Sequence, residues 1–439
     1  MAFHFYFPEK KVLIKQNCFG KNIRLIILKL RWKLIKLARK YGVNLKIALH
    51  IPSAFVTGSV GKTTTCRMLA AILAENRTVV GLSTTQGVYV GKETIRVGDS
   101  SNCWFASQLL IDKRVQAGVF ELARGGLLEQ GIVFNGCDVG AILNIYDNHL
   151  GLGGIHTREG MAKVKSAVVK SARKMVVINA DDPLCLAMRD QVVAAQTCLV
   201  SMLADNPIII DHMKAKGVAA FLDSKQNPVL NLYRGNELIG AIPAAEIPAS
   251  YDAAFRPALF SALFATALAY GMGVEFTVIR NALRVFQSDA ETNPGRMNFY
   301  DHLPFKVLIT WVDGPQAAEE LARFIQKMNC TGKKYLMFCS VGNRPDQYIK
   351  DMGKSVRGSF THYICSDHVD LRGKPPGETA ALLGEGLLDS GVSRENITIA
   401  SSHQNALKLV LKKPSTHDLL VICTFASDAA RKEVLLKNF

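Results

Sequence analysis

The sequence is poor in the ligand patterns that build metal or disulfide sites. It has ten cysteines, but none forms a C-x-x-C pair, and no histidine lies near one at the spacing of zinc ligands. Because such sites need clustered ligands, we expect reduced and mostly buried thiols rather than a disulfide framework or a structural zinc site.

Long apolar runs are also missing. No stretch of about 18 or more apolar residues occurs, and the first residues lack the small-residue cleavage pattern of a secretory signal. The chain has no internal repeat and no low-complexity tract. These absences predict a cytoplasmic protein without a membrane span. With 439 residues, 49% of them hydrophobic, the chain is long enough for two or three domains.

Acidic residues are scarce at the beginning of the chain. Residues 1–50 hold twelve Lys or Arg and one acid, Glu9, in a chain of net charge +16. Apolar residues recur there at the spacing of one helix face, at Ile23, Ile27, Leu30, Leu34 and Leu37. This basic amphipathic helix leaves two interpretations open. One is contact of residues 21–42 with a polyanion or with the inner membrane surface, where the protein would be peripheral; the other is packing on the protein body with the lysines in water. No motif that reads nucleic acid accompanies the charge, so nucleic acid is not an expected partner.

From Ser53 onward, short apolar runs alternate with helical periodicity, which is typical of a parallel sheet covered by helices. Short antiparallel strands are expected between about 208 and 248, and the alternation begins again after the turn "NPG". The predicted strands of the first part are 54–58, 78–82, 117–122, 138–145 and 174–179. The predicted fold is α/β, with a P-loop central domain built on a mostly parallel sheet and a smaller C-terminal Rossmann-like α/β domain. The predicted domains are a basic helical N-terminal segment (1–50), the central domain (51–292) and the C-terminal domain (293–439).

The stretch "VTGSVGKTTT" places a glycine-bearing loop between a predicted strand and a predicted helix. Gly58 and Gly61 allow backbone N–H groups to approach phosphate oxygens, Lys62 supplies a positive charge, and Thr63 offers a hydroxyl to magnesium. The longer form of this motif would have glycine at Val56. The strand before the loop and the helix after it nevertheless predict a site for nucleotide phosphates.

Two further residues follow predicted strands and are candidate magnesium ligands. Glu121 stands at the end of "AGVFEL", and His149 comes after "DVGAILNI". Each alone is more typical of a solvated or capping residue. Since open α/β sheets bind ligands at the carboxyl ends of their strands, the two together with Thr63 predict a metal site.

Five segments in this order resemble the Mur ligase superfamily: "TGSVGKTTT", "FELARGGLLEQGIVFNGCDVGAILNIYDNHLGLGGIHTREGMAKVKSAVV", "INADDP", "NPGRMN" and "DLRGKPPGE". The resemblance runs from about Ala54 to the end and is strongest to the C-terminal, Mur-ligase-like half of the cyanophycin synthetases. The ATP-grasp half of those enzymes has no counterpart here, so a one-step ligase is expected. The resemblance implies an enzyme that uses ATP and Mg²⁺ to join a carboxylate to an amino acid amine through an acyl phosphate.

The resemblance also implies roles for individual residues. Lys62, Glu121, His149 and Lys165 would be catalytic, and Thr63, Glu121 and His149 would hold the metal. Lys165 falls where many Mur ligases carry a carbamylated lysine; the alternative is an ordinary surface lysine. Arg124 and Arg372 would bind substrate. The residues implied in ATP binding are Thr57, Gly58, Ser59, Gly61, Lys62, Thr63, Thr64, Arg296 and Asp313.

This sequence departs from the family pattern at three places. Asp313 stands where the family has histidine, Asn148 where an acid usually precedes the metal histidine, and the helix "FRPALFSALFAT" lacks the asparagine that usually meets adenine. The amine donor could be arginine, lysine or another amino acid, and the acceptor a peptide or a cyanophycin-like chain. Two other functions stay open: a nucleotide-binding partner subunit without catalysis, and a poly-γ-glutamate-type ligase at the membrane. A homo-oligomer is also open.

Overall fold

The computed structural model describes residues 18–148, 150–425 and 427–436. The helices are α1 (Cys18–Lys40), α2 (Lys62–Glu75), α3 (Cys103–Leu109), α4 (Arg124–Gln130), α5 (Arg158–Val169), α6 (Pro183–Leu186), α7 (Pro207–Lys214), α8 (Arg256–Gly271), α9 (Phe276–Val285), α10 (Pro315–Lys327), α11 (Asp346–Ser355), α12 (Glu378–Asp389), α13 (His403–Val410) and α14 (Ser427–Leu436). The strands are β1 (Ser53–Thr57), β2 (Val80–Thr84), β3 (Gly87–Val90), β4 (Glu93–Val97), β5 (Ala117–Glu121), β6 (Cys137–Ile142), β7 (Ala172–Asn179), β8 (Gln196–Ser201), β9 (Val218–Asp223), β10 (Val229–Arg234), β11 (Glu237–Pro243), β12 (Asn298–Tyr300), β13 (Lys306–Thr310), β14 (Lys334–Ser340), β15 (His362–Asp367), β16 (Ile397–Ile399) and β17 (Leu419–Cys423).

An eleven-stranded sheet forms the larger half of the molecule, in the order β11-β10-β9-β8-β7-β6-β1-β5-β2-β3-β4. The strands from β9 to β2 are parallel, and antiparallel hairpins extend both edges. Strand β1 lies between β5 and β6, with Ala54 opposite Val119 and Val139. After β1 the chain passes to β2 on one side of that strand, whereas β6 lies on its other side. The strand order therefore reverses at β1, and a ligand crevice is expected at the carboxyl end of this strand.

Alternate residues of the central strands enter two separate cores. Ala54 and Val56 of β1 belong to the core that also contains residues of α2, α8 and α9, whereas Phe55 belongs to the core on the opposite face. There it contacts Phe120 and Phe134, with ring centroids 6.0 and 5.7 Å away. The strands are therefore apolar on both faces, which explains why they read as continuous apolar runs.

A second sheet of six strands has the order β12-β13-β17-β14-β15-β16 and is parallel except for β12. Helices α10, α11 and α12 cover one face, and α13 and α14 cover the other. The predicted α/β fold with two mostly parallel sheets is thus confirmed. The expected antiparallel strands between 208 and 248 are β9, β10 and β11, although the beginning of that stretch belongs to α7.

The nine cysteines from Cys66 to Cys423 are free thiols, and all except the half-buried Cys330 are buried, as the sequence predicted. In the part of the chain that the structure describes, no helix is both long enough and apolar enough to cross a bilayer. Helix α1 packs on the body of the protein through Leu28, Trp32 and Ile35. This is not the face that the sequence pattern singled out, whose five apolar residues are all exposed.

Candidate active site

The loop between β1 and α2 has the backbone geometry of a phosphate-binding loop. Gly61 precedes the first residue of α2 with φ of 86°, a left-handed conformation that favours glycine. A Cβ on Gly58 would lie 2.7 Å from Cβ of Leu143, so a side chain there would collide with the neighbouring chain. The loop therefore needs glycine at both positions, and it directs the N-terminus of α2 toward the carboxyl end of the sheet.

Asn144, just after β6, holds this loop in place. Its side-chain oxygen accepts hydrogen bonds from the backbone N–H groups of Ser59 and Val60, both at 2.9 Å. The hydroxyl of Ser59 in turn accepts a bond of 2.9 Å from the N–H of Tyr146. Asn144 was not predicted as a site residue, because it lies inside the predicted strand 138–145 and carried no signal of its own. These bonds fix the loop before any ligand enters, which lowers the cost of ordering it.

Three oxygen-bearing side chains meet beside the first turn of α2. The hydroxyl of Thr63 donates to Oε2 of Glu121 at 2.8 Å, and the hydroxyl of Thr85 donates to Oε1 at 2.8 Å. The two hydroxyl oxygens are 2.9 Å apart, and the N–H of Thr85 also donates to Glu121 at 3.1 Å. The side chain of Glu121 is buried. The structure thus brings Thr63 and Glu121 together as predicted, and it adds Thr85, which lies after β2 and was missed.

This cluster suits magnesium, which prefers oxygen ligands. Asn148 contacts the phosphate loop, where its amide donates to the carbonyl of Ser59 at 3.5 Å, and its buried side-chain oxygen has no hydrogen-bond partner among the described residues. His149, the third predicted ligand, lies outside the described residues. Among the residues that are described, no group of three or more His, Cys, Asp or Glu could hold a metal. A site of this kind leaves most coordination positions to water and phosphate oxygens, as is usual for Mg²⁺.

Two lysines lie on opposite sides of the loop. Lys62 is half-buried, and its amine donates to the carbonyl of Ser59 at 2.9 Å. Lys165 is buried beneath the loop, and its amine donates to the carbonyl of Gly58 at 2.5 Å. Burial, with a smaller contribution from the charge of Lys62, holds the pKa of Lys165 well below its ordinary value. The surface-lysine interpretation of Lys165 is therefore wrong.

A cavity of about 680 Å³ opens above the loop, and residues of both sheets line it. Predicted site residues on its wall are Ser59, Gly61, Lys62, Thr63, Thr64, Glu121, Arg296, Asp313 and Arg372. Four other predicted residues are not part of the wall: Thr57, Gly58, Arg124 and Lys165. The hydroxyl of Thr57 donates to the carbonyl of Leu122 at 2.7 Å, and Arg124 donates to the carbonyl of Leu152 at 2.7 Å.

The C-terminal half contributes the positive side of the opposite wall. Arg344, which was not predicted as a site residue, forms a salt bridge of 3.0 Å with Asp313, and its side chain is 2% exposed. Arg296 is half-buried, and burial lowers its pKa, although Glu121 and Asp313 offset part of that effect. Arg372 has φ of 44° and lies 3.3 Å from Asp370. The C-terminal half thus contributes three arginines to the wall of the cavity that Lys62 also lines.

The first residues of α8 and the residue before them form an apolar part of the wall. Phe255, Pro257, Ala258 and Phe260 contribute carbon surface, and Ser261 adds a hydroxyl that donates to the carbonyl of Pro257 at 3.0 Å. This is the helix in which the sequence lacks the expected asparagine. The carbon surface can therefore stack against a flat apolar group, and Arg256 and Ser261 are the polar side chains that α8 adds to the wall.

The segment that joins the two sheets is hydrogen-bonded to the helix of the phosphate loop. Arg67 of α2 donates to the carbonyl of Thr292 at 3.0 Å, and Asn293 donates to the hydroxyl of Thr64 at 3.3 Å. Gln86, which follows β2, donates to the carbonyl of Pro294 and accepts a bond of 2.5 Å from Arg67. The start of the second half is thus fixed directly to the first two turns of α2.

Comparisons with known proteins agree with this geometry. The Mur ligase middle domain family matches residues 56–236. Cyanophycin synthetase from Geminocystis herdmanii is 36% identical over 375 residues, covering 85% of this chain and 42% of the relative. UDP-N-acetylmuramoyl-L-alanyl-D-glutamate--2,6-diaminopimelate ligase from Caldanaerobacter subterraneus is 22% identical over 374 residues, covering 84% of this chain and 71% of the relative. The chain therefore spans less than half the length of the cyanophycin synthetase it matches.

A solved structure shows the same fold over nearly the whole chain. It is a bifunctional folylpolyglutamate synthase/dihydrofolate synthase with Mn, AMPPNP and L-glutamate bound; the TM-score is 0.65 at 18% identity, covering 95% of this chain and 98% of that one. At this identity the likeness concerns the fold alone. The family match over residues 56–236 and these sequence relationships show that the chain carries the middle domain of the Mur ligase superfamily.

Proposed function

We propose that this protein is an ATP- and Mg²⁺-dependent ligase that forms an amide between a substrate carboxylate and the amine of an amino acid. The observation that carries the proposal is the joint position of the loop, the Thr63–Glu121 pair and the arginines of the second half around one cavity. A carboxylate and a triphosphate repel each other, so their reaction needs cations fixed between them. Since the reaction consumes ATP, we place the protein in the cytoplasm.

In the proposed reaction, the substrate carboxylate takes the terminal phosphoryl group of ATP, and ADP leaves. The amine then attacks the acyl carbon, loses a proton and displaces phosphate. Lys62 and the N–H groups at the start of α2 would hold the phosphates, and Thr63 and Glu121 would hold Mg²⁺. When bound, Mg²⁺ neutralises phosphate charge. Arg296 approaches the nucleotide from the second half of the molecule.

Lys165 fits a supporting role. Burial lowers the pKa of this amine and so favours its uncharged form, which can react with carbon dioxide to give a carbamate and release a proton. We propose this modification because the amine lies beneath the loop at Gly58 and no described carboxylate forms an ion pair with it. Mass spectrometry of the intact protein in bicarbonate buffer tests it: a gain that Lys165→Met abolishes supports the carbamate, and an identical gain in both proteins contradicts it.

For the acceptor we propose an aspartyl peptide or a cyanophycin-like chain, and for the amine donor arginine, lysine or another amino acid. The similarity to cyanophycin synthetases motivates this choice. The positive side chains of Arg344 and Arg372 on the second wall suit a substrate carboxylate.

The test is phosphate release from ATP and Mg²⁺ with a panel of amino acids and short aspartyl or glutamyl peptides. The proposal expects turnover only when a matching acceptor and amine are both present, together with a product whose mass equals their sum less water. Nucleotide binding without turnover in any pairing would contradict it and favour a non-catalytic partner subunit. Glutamyl acceptors that react with glutamate alone would instead indicate a polymerase of glutamate.

A further inference from the structure

Helix α1 carries two different apolar faces. Leu28, Trp32 and Ile35 are 4–8% exposed and pack on the protein, where the ring of Trp32 lies 5.1 Å from that of Trp104. A second set recurs along the opposite side and is 46–58% exposed: Ile23, Ile26, Ile27, Leu30, Leu34 and Leu37. We call this second set the outer stripe. One face therefore anchors the helix, and the other has no partner among the described residues.

The anchoring is firm enough to fix which side faces outward. Arg24 donates to the carbonyl of Ile111 at 3.3 Å, and Arg39, near the other end of the helix, donates to the carbonyl of Gln130. At 1.5 Å per residue, the outer stripe extends for about 20 Å. Exposed apolar side chains continue past the helix at Tyr41, Val43 and Leu45. An apolar surface of this length is larger than the scattered exposure expected of a water-facing helix.

Positive charge borders the outer stripe. The helix contains eight Lys or Arg and no acid. Lys29, Lys33, Lys36 and Lys40 follow one border of the stripe, Arg31 lies on the other, and all five are exposed. No carboxylate of the described residues forms an ion pair with any of them. An outward apolar stripe between rows of unpaired cations is the pattern of a helix that lies in the plane of a membrane surface.

We propose that the outer stripe of α1 binds the surface of an anionic lipid bilayer, with the stripe among the acyl chains and the bordering lysines at the phosphate headgroups. The long lysine side chains can cover apolar surface while their amines reach anionic headgroups. A second copy of the chain fits this face less well, because two outer stripes in contact would place like charges next to each other. The helix does not span the bilayer. The proposal is independent of the proposed ligase activity.

The test uses the full chain in co-sedimentation with two kinds of vesicle, phosphatidylcholine alone and phosphatidylcholine with phosphatidylglycerol. We expect binding only to the anionic vesicles, and weaker binding as salt is raised. Leu30→Gln/Leu34→Gln should lower the partition coefficient at least about tenfold, since it makes two of the six apolar side chains of the stripe polar. The matched control is Val193→Gln/Val285→Gln, which changes two side chains that are 71% and 72% exposed elsewhere. It should bind like the wild type.

A second variant separates charge from apolar contact. Lys33→Glu/Lys36→Glu keeps the outer stripe but reverses two bordering charges, and it should also release the protein. Both variants change exposed side chains, so circular dichroism should show an unaltered fold. Absence of binding by the wild type, or equal binding by the Leu30→Gln/Leu34→Gln variant, would overturn the proposal. So would a dimer in sedimentation velocity that only this variant disrupts, or retention on polyphosphate without vesicle binding.

Discussion

Replacing Lys62 by alanine is expected to lower the turnover number of the ligase about a thousandfold while leaving the fold intact. The amine of Lys62 lies at the start of α2, at the edge of the cavity, on the carbonyl of Ser59. A unit charge about 4 Å from a phosphate oxygen at an effective dielectric constant of about 20 contributes about 4 kcal/mol. Since about 1.4 kcal/mol corresponds to a factor of ten in rate, the loss amounts to about three factors of ten.

The same substitution should change stability very little. The amine makes one described hydrogen bond, and a single bond of this kind contributes about 1 kcal/mol net. Thermal unfolding without nucleotide should therefore differ by only a few degrees from that of the wild type. Lys163→Ala, an exposed lysine on α5, is the matched control and should alter neither quantity.

The assay is phosphate release at saturating ATP, Mg²⁺ and substrates, combined with calorimetric titration of ADP. Lys62→Arg should recover part of the rate, because it retains the charge but not the compact ammonium group. Turnover of Lys62→Ala within tenfold of the wild type would refute the assignment of Lys62 to the phosphates. A large fall in the unfolding temperature of Lys62→Ala would refute the expectation that Lys62 contributes to turnover but little to stability.

Three further substitutions test other parts of the site. Burial lowers the pKa of Lys165 in the folded protein, so only the unfolded chain binds a proton there between that lowered pKa and the ordinary value of 10.5. The free energy of unfolding should therefore rise with pH across this window. In urea denaturation without carbon dioxide, Lys165→Met should flatten this rise, and an equal slope in both proteins would contradict the argument. Asp313→Asn leaves the charge of the buried Arg344 without this carboxylate and should cost about 2–4 kcal/mol in the same measurement, whereas an unchanged midpoint would show that the pair contributes nothing. Gly58→Ala places a methyl 2.7 Å from a leucine carbon and should destabilise the protein by about 1–3 kcal/mol, while Gly125→Ala, with open space around it, should not; equal effects would contradict the steric argument.

The parts of this site that follow from local sequence could be predicted. The loop depends on glycines and on Lys62 and Thr63, which are adjacent in the chain, and Glu121 could be placed because parallel strands end at one edge of the sheet. Thr85 and Asn144 could not be found in this way. They contact the loop through bonds between residues 22 and 85 positions apart, and no spacing rule connects them.

The orientation of α1 was not predictable for a different reason. Leu28, Trp32 and Ile35 are spaced as regularly as Ile27 and Leu34. The periodicity therefore defines two apolar faces but does not show which of them is buried. Only the complementary surface on the body, including Trp104, decides which face is buried. The same limit applies to Asp313, whose partner Arg344 is 31 residues away and became visible only in the folded chain.

The contacts between the two halves explain why the cavity is a single site rather than two neighbouring surfaces. Arg67 is buried and lies on α2, one turn after Thr63, and it holds the connecting segment at Thr292. Asn298, at the start of β12, accepts a bond of 2.6 Å from the N–H of Gly295 and donates to the carbonyl of Arg296 at 2.9 Å. The backbone next to Arg296 is therefore fixed relative to the helix that receives the phosphates. Any rotation of the second half about this segment would therefore pivot beside the phosphate site.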